Sequence, residues 1–226
     1  MRENTYIEEQ EARRLMVSIG KRLYEKGLIT ATDGNMSCRL DADRLLVTPS
    51  GVCKGFLSEE QLIIVDREGK VIEGDGRPSS EIRVHLVAYA LRKDIGAVLH
   101  AHPPLLTAIT VARLPFDSAL LPELWITTGP VPVASYATPS TEDLAESVRP
   151  FVAKHNAILL ERHGSLTMAS DIEKAFFLLE KMEHAALVFV ISFLLSGGKL
   201  PQPLSMEELS RLSEAFRYLK SKPSSV

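Results

Sequence analysis

The sequence has little cysteine, no excess of basic residues and no long apolar run. Two cysteines are too few for a disulfide framework, and Cys38 and Cys53 lack zinc-ribbon spacing. A net charge of −3 disfavours a dedicated nucleic-acid-binding protein, which usually carries a basic stripe. The longest apolar stretch, residues 185–195, is too short to span a bilayer. Residues 1–15 mix acids and bases, unlike a signal peptide, so we expect a cytoplasmic protein.

The rest of the composition is that of an ordinary folded protein. Hydrophobic residues make up 45% of the chain and charged residues 24%, values that disfavour disordered and collagen-like sequences. The length of 226 residues allows a substantial core, and no repeat, low-complexity block or linker divides the sequence. We therefore expect one domain that spans residues 1–226.

Predicted strands and helices alternate along the chain, which indicates an α/β fold with a layered core. Apolar residues at helical spacing predict a first helix that ends at Gly27. Two β-rich runs around a polar turn in residues 61–74 predict a hairpin, so the central sheet should be mixed and mostly antiparallel. Other patterns predict helices at residues 81–93, 105–112, 141–155, 171–195 and 205–220, and strands at residues 44–48, 95–102 and 157–164.

The strongest local signal is a pair of histidines, His100 and His102, at the end of a predicted strand. Alternate residues of a strand face the same side, so the two imidazoles can share one metal ion. His163 lies at the end of another predicted strand, just before a glycine. The three side chains predict a metal site with an open coordination position, although histidines also occur near strand ends by chance.

A second signal is the tripeptide Ser79-Ser80-Glu81 at a predicted helix start. Free backbone N–H groups and the helix dipole favour an anion there, such as a phosphate. Ordinary capping by serine explains the tripeptide equally simply and is the commoner case. Two other short polar loops, residues 33–35 and 48–51, could add donors around the same anion or could be plain turns.

Two further residues carry weaker signals. His85 lies one helical turn after Glu81 and could contact it, but a helix histidine more often faces the core or the solvent. Lys54 follows a turn and could help to hold a phosphate, but a solvated lysine is at least as common.

Six motifs in fixed order resemble the class II aldolase and adducin-head family. They are GNMS, TPSG, PSSE, HAH, YATPST and RHG, and the similarity covers residues 9–186. Within that family the motifs are most similar to those of L-fuculose-phosphate aldolases. The resemblance implies a three-layer α/β/α sandwich that cleaves a ketose 1-phosphate into dihydroxyacetone phosphate and an aldehyde.

The resemblance also assigns roles to individual residues. It implies a divalent metal ion, usually Zn²⁺, held by His100, His102 and His163, with Glu81 as the catalytic acid and base. It implies homotetramers with active sites between subunits, a phosphorylated sugar as substrate, and no nucleic-acid or membrane partner. The implied phosphate pocket consists of Asn35, Ser50, Gly51, Ser79 and Ser80.

The chain departs from the family pattern at three places, one of which is Arg162, where relatives often have asparagine or histidine. Glu123 stands where fuculose-phosphate aldolases have a tyrosine that is proposed as a proton donor, so Glu123 is a second candidate catalytic residue, with an ordinary solvated loop acid as the alternative. A glutamate there is reminiscent of the methylthioribulose-1-phosphate dehydratases of the same superfamily. Tyr218 falls about one residue out of register with a C-terminal tyrosine near the active site of the fuculose enzyme, and we assign it no role.

Three alternatives to an aldolase stay open at this point. A methylthioribulose-1-phosphate dehydratase or a pentose-phosphate 4-epimerase would need the same metal and phosphate pockets. An adducin-like binding module would be expected to lack metal ligands or the acid, and here His100, His102, His163 and Glu81 are all present.

Overall fold

The central element of the fold is a sheet of eight strands that seven helices cover in the described part of the chain. The computed structural model describes residues 5–221, with side chains described up to residue 217. The strands are β1 (Asn35–Arg39), β2 (Leu45–Val47), β3 (Ile63–Val65), β4 (Val71–Glu73), β5 (Ala97–Ala101), β6 (Val133–Ala134), β7 (Ala157–Leu160) and β8 (Gly164–Ala169). The helices are α1 (Glu9–Glu25), α2 (Ile82–Leu91), α3 (Pro104–Val111), α4 (Pro122–Thr128), α5 (Glu142–Val152), α6 (Ile172–Leu195) and α7 (Met206–Ser221).

The strand order is β4-β3-β2-β1-β5-β8-β7-β6, and only the pair β6 and β7 is parallel. The mixed, mostly antiparallel sheet is therefore confirmed. The hairpin expected in residues 61–74 is formed by β3 and β4. Helix α1 ends near Gly27, as expected, and Gly27 has a φ of 66°, a conformation that glycine adopts without strain.

The two faces of the sheet bury different helices, which gives the three-layer sandwich. Alternate residues of a strand point to opposite faces, so Leu46 packs with α1 and α6 while Leu45 and Val47 pack with α2 and α5. On the first face Met16 and Phe176 are fully buried. A third apolar cluster joins α3 and α4 to α6 beside β7.

Two local expectations were wrong. Neither Ser79 nor Ser80 caps α2, because the N-cap residue is Glu81 and no side chain of the described residues makes a capping hydrogen bond there. The strand expected over residues 157–164 ends at Leu160, since the chain turns and returns as β8. Arg162 adopts a φ of 59° in that turn.

The described region contains no helix whose length and apolar character would allow it to cross a bilayer.

Candidate active site

The three histidines meet at one end of two neighbouring strands. His100 is the penultimate residue of β5 and His102 follows the strand directly, whereas His163 lies in the turn between β7 and β8. The register pairs Ala101 with Ser165, so the turn lies beside the end of β5. Only glycine fits at position 164, because a Cβ atom there would collide with the Ala101 carbonyl oxygen. This close approach places His163 beside the other two rings.

The geometry of the three rings suits a metal ion. One ligand nitrogen from each ring lies within 4.8 Å of the others, and the ring centroids are 4.8–4.9 Å apart. His100 Nδ1 donates to the Ser165 carbonyl oxygen at 2.9 Å, which leaves Nε2 to act as a ligand. His100 Nε2 lies 2.9 Å from His102 Nε2 and 3.2 Å from the Glu81 carboxylate. Because these groups present lone pairs to one another, a proton or a metal ion is needed between them.

Glu81 completes this cluster from the turn before α2. Its Oε2 atom lies 3.2 Å from His100 Nε2 and its Oε1 atom lies 3.3 Å from His163 Nε2. Partial burial alone would raise the pKa of Glu81, but hydrogen bonds and charge from His100 and His163 outweigh it and hold that pKa well below its usual range. The carboxylate is therefore ionised at neutral pH.

His102 is held in its neutral form. Burial, followed by the charges of His100 and His163, lowers the pKa of His102 to about 3. A neutral imidazole keeps the lone pair that a metal ion needs. The His102 backbone N–H donates to the Leu28 carbonyl at 3.0 Å, which fixes the chain where β5 ends.

The expected phosphate-pocket residues lie on adjoining loops. Ser50 N donates to the Arg77 carbonyl at 2.8 Å, and this contact brings the loop of Ser50 and Gly51 against the segment before Ser79. Ser50 and Gly51 are exposed, as an open pocket requires. The Ser80 hydroxyl lies 2.6 Å from that of Ser140, in the segment of the YATPST motif.

Asn35 is the buried member of this set. Its Nδ2 atom donates to Glu81 Oε2 at 3.0 Å and to the Ser79 hydroxyl at 3.2 Å. Both amide hydrogens are therefore directed at protein groups. Asn35 therefore links Ser79 of the expected phosphate pocket to Glu81, and its own contact with phosphate stays a prediction.

Glu123 stands apart from the cluster. It is exposed on α4 and lines a cavity of about 790 Å³ with residues of α6 and of the segment after α1. No hydrogen bond or ion pair of the described residues joins Glu123 to Glu81 or to the three histidines. Tyr218 lies on α7, and its side chain falls outside the described part of the chain.

The buried contacts among Asn35, Ser37 and His85 were not predicted from the sequence. His85 faces the core, as the commoner expectation had it, and contacts Asn35 and Ser37 rather than Glu81. The signal that could have found them is the alternation of polar residues along β1, a strand whose residues are all buried. Lys54 is buried, and its Nζ donates to the Thr32 carbonyl at 2.6 Å, so the expectation of a solvated lysine was wrong.

Comparison with known proteins identifies the family. Residues 14–190 match the family described as Class II Aldolase and Adducin N-terminal domain. The 5-deoxy-D-ribulose 1-phosphate aldolase of Bacillus thuringiensis serovar kurstaki is 32% identical over 92% of this chain and 97% of its own. The 3-oxo-tetronate 4-phosphate decarboxylase of Pectobacterium atrosepticum is 32% identical over 91% of this chain and 94% of its own.

A solved structure agrees with these relatives in fold. An L-fuculose 1-phosphate aldolase superposes with a TM-score of 0.82 at 31% identity, over 92% of this chain and 96% of that one. The relatives include both aldolases and decarboxylases, which are lyases. The chain belongs to the class II aldolase and adducin N-terminal domain family.

Proposed function

We propose that this protein is a metal-dependent aldolase that cleaves a ketose 1-phosphate, of the L-fuculose 1-phosphate type, into dihydroxyacetone phosphate and an aldehyde. The observation that carries the proposal is the position of the Glu81 carboxylate, 3.2 and 3.3 Å from nitrogens of two of the converging histidines. The order of the motifs, which resembles that of the fuculose-phosphate aldolases, supports the proposed phosphate pocket.

The three histidines would hold the metal ion, for which we propose Zn²⁺. Three neutral imidazoles with an open fourth position form a common catalytic zinc site. A bound divalent ion supplies Lewis-acid stabilisation of negative charge on the substrate oxygens. Glu81 lies beside this position and is ionised, so it can accept a proton from the substrate and return it to carbon.

The phosphate pocket would fix the substrate relative to Glu81. Ser79 accepts a hydrogen bond from the Glu81 backbone N–H at 3.3 Å, so the pocket and the acid share one turn of the chain. A phosphate held on this turn by Ser79, Ser80 and the loop of Ser50 and Gly51 would place the adjacent carbonyl near the histidines. The binding energy of the phosphate then helps to orient the substrate.

The bond that breaks lies between C3 and C4 of the ketose. Loss of the C4 hydroxyl proton releases the aldehyde and leaves an electron pair on C3 of the dihydroxyacetone phosphate half. Glu81 would deliver the proton that it accepted from the substrate to that carbon, which completes the product. In this scheme no lysine forms a covalent intermediate.

Decarboxylation is the second candidate, because three of the similar relatives are named 3-oxo-tetronate 4-phosphate decarboxylases. That substrate also carries a phosphorylated hydroxymethyl group on one side of its carbonyl and a hydroxyl-bearing carbon on the other. Loss of carbon dioxide leaves the same dihydroxyacetone phosphate half. The two reactions differ only in the group that leaves, so the same histidines and Glu81 would serve both.

A panel of three substrates tests the proposal. Zinc-loaded protein would be given L-fuculose 1-phosphate, 5-deoxy-D-ribulose 1-phosphate or 3-oxo-tetronate 4-phosphate, and dihydroxyacetone phosphate, aldehyde and carbon dioxide would be measured separately. Aldehyde formed in equal amount with dihydroxyacetone phosphate supports the aldolase. Carbon dioxide from the third substrate alone favours the decarboxylase. No product from protein with measured bound metal contradicts both, and methylthioribulose 1-phosphate and a pentose phosphate would then test the dehydratase and the epimerase.

The proposal includes a homotetramer with active sites between subunits, in which Glu123 would act on the site of a neighbour. Its exposure on a cavity wall and its lack of contact with Glu81 in one chain support this. Mixing inactive Glu81→Gln and Glu123→Gln subunits would test it. Shared sites would recover part of the activity, because some sites receive both intact glutamates. Activity that stays absent after verified subunit exchange contradicts it, as does an active Glu123→Gln variant.

A further inference from the structure

A row of buried polar residues on β1 faces a second row on α2. Asn35, Ser37 and Arg39 point toward α2, while the residues between them, Met36 and Cys38, join the core on the opposite face. The matching residues on the helix side are four apart: Glu81, His85 and Tyr89. Two residues of a strand advance about 6.8 Å and four residues of a helix about 6.0 Å, so successive residues of the two rows lie opposite one another.

The two rows form a continuous chain of hydrogen bonds. The Tyr89 hydroxyl lies 2.9 Å from the Ser37 hydroxyl, which lies 2.7 Å from His85 Nδ1. His85 Nε2 lies 2.6 Å from Asn35 Oδ1, and Asn35 Nδ2 donates to Glu81 Oε2 at 3.0 Å. His85 is 1% exposed and Ser37 is completely buried, so water does not compete for these bonds.

Arg39 anchors the end of the hydrogen-bond chain that lies farthest from Glu81. Its guanidinium carbon lies 4.8 Å from the centre of the Tyr89 ring. Arg39 Nη2 donates to the Tyr89 carbonyl at 3.1 Å and to the Arg92 carbonyl at 3.0 Å. The phenol is therefore fixed at both its ring and its hydroxyl, whose single hydrogen is shared between the Ser37 hydroxyl oxygen at 2.9 Å and the Ser37 carbonyl oxygen at 3.0 Å.

The donors and acceptors allow one arrangement around the histidine. Asn35 Oδ1 can only accept, so His85 Nε2 carries a hydrogen and donates it. Burial lowers the pKa of His85 to about 3, so its ring is neutral and Nδ1 accepts from the Ser37 hydroxyl. With Oδ1 turned to His85, the Asn35 amide nitrogen must face Glu81 and Ser79. A flipped amide would instead present oxygen to the carboxylate.

We propose that His85 is a positioning residue, which with Ser37 and Tyr89 fixes the Asn35 amide so that it holds the Glu81 carboxylate beside the histidine cluster. The effect on catalysis rests on the proposed function, whereas the geometry of the hydrogen-bond chain does not. Without His85 the amide can rotate, Glu81 loses a defined donor, and the Ser79 hydroxyl loses its link to the acid.

The first test is nuclear magnetic resonance on metal-free protein labelled with ¹⁵N. We expect His85 to show the Nε2–H form with a slowly exchanging ring proton, and the Asn35 side-chain amide to exchange slowly. In Ser37→Ala both signals should exchange faster, because the hydroxyl that donates to His85 Nδ1 is gone. An Nδ1–H form of His85, or an Asn35 amide unaffected by Ser37→Ala, overturns the proposal.

The second test is kinetic and uses matched variants. In the metal-loaded enzyme His85→Leu should lower kcat about tenfold or more with a smaller change in KM, the scale of one hydrogen bond to a charged group. His85→Gln keeps one donor and one acceptor and should recover part of the loss. Thr167→Val, which removes a buried hydroxyl that donates to the Ala175 carbonyl at 2.9 Å, serves as the control and should leave kcat unchanged.

The outcomes separate this proposal from the proposed function. A lower kcat in Ser37→Ala and His85→Leu but not in Thr167→Val supports the positioning role, and Ser37→Ala serves alone where His85→Leu does not fold. An unchanged kcat in Ser37→Ala and in folded His85→Leu, or equal losses in all variants, overturns it. If the wild type turns over none of the sugar phosphates, the proposed function fails, and the measurements on metal-free protein still decide the hydrogen-bond chain.

Discussion

At the scale of single residues, each histidine of the cluster is fixed by a different backbone contact. His100 donates to the Ser165 carbonyl, His102 is fixed through its own N–H on the Leu28 carbonyl, and His163 sits in a turn with its N–H on the Leu160 carbonyl. The first contact orients the His100 ring, and the other two fix the backbone from which the His102 and His163 side chains extend. A site arranged in advance in this way loses little entropy when a metal ion binds.

The same alternation that points Asn35 and Ser37 toward α2 buries Cys38 on the other face of the sheet. The burial of the Cys38 thiol can be tested by its reactivity. Cys38 is 1% exposed, and burial raises the pKa of its thiol to about 12. We expect native Cys53→Ser protein to show no rapid reaction with a thiol reagent at pH 8 and one reactive thiol after unfolding in denaturant. Fast modification of the native variant would contradict the register of β1.

At the scale of elements, the start of α3 is held by a residue of α6. Both carboxylate oxygens of Glu183 accept hydrogen bonds, from Leu105 N at 2.9 Å and from Leu106 N at 3.1 Å. Helix α3 begins two residues after His102, and its Pro103 and Pro104 offer no N–H groups of their own. Glu183 therefore couples the position of α6 to the strand end that carries His102.

Glu183→Gln should weaken this junction. The amide keeps one acceptor oxygen, so one backbone N–H loses its partner, at a cost of about 1–3 kcal/mol in the free energy of unfolding. Denaturant unfolding measures this, and zinc affinity should fall with it. Glu180→Gln is the matched control on the same helix, because its carboxylate makes only a surface ion pair with Lys26 at 2.9 Å. Equal losses in the two variants would contradict the role of Glu183.

The pH dependence of the same junction has a definite sign. Burial raises the pKa of Glu183, and the two backbone N–H groups only partly oppose this. The folded state therefore binds the proton more tightly than the unfolded state, so the contribution of Glu183 to stability falls as pH rises from its usual pKa through the raised one. Glu183→Gln should remove that component. A wild type and a variant with the same pH slope would contradict the raised pKa.

Elements with strong local patterns could be predicted, whereas the turn that carries His163 could not. The spacing of apolar residues was sufficient for α1, and the polar turn between two β-rich runs was sufficient for the β3–β4 hairpin. Strand β8 was missed because Arg162 takes a positive φ that its residue type does not signal. The sequence predicted that His163 joins the other two histidines, but the close approach through Gly164 depends on packing against β5.

At the scale of the whole molecule, the histidines come from segments far apart in the sequence. His100 lies in β5 and His102 directly after it, His163 follows β7, and Glu81 precedes α2, so the site exists only when the sheet and its covering helices are assembled. Spacing alone predicted the pair His100 and His102. It could not predict the contact of Asn35 with Glu81, which arises because β1 pairs with β5 in a register that sets Asn35 opposite His100.

Metal removal should therefore destabilise the whole fold. A metal ion present at about 1,000 times its Kd adds about 4 kcal/mol to the free energy of unfolding. A chain of this length changes its Tm by about 2–4 °C per kcal/mol, so chelation should lower Tm by about 8–16 °C. His163→Ala should show no such difference between the metal-loaded and chelated forms. An unchanged Tm in the wild type, with no bound metal, would favour a binding module without catalysis.

The most direct measurement of the central claim is the release of dihydroxyacetone phosphate by wild-type protein and by Glu81→Gln, with zinc content determined in the same samples. We expect both proteins to bind zinc and Glu81→Gln to lose turnover by about 10²–10⁴-fold, the contribution of a positioned acid and base. Turnover in Glu81→Gln at the wild-type rate, or equal turnover by the wild type after its zinc has been removed, would contradict it.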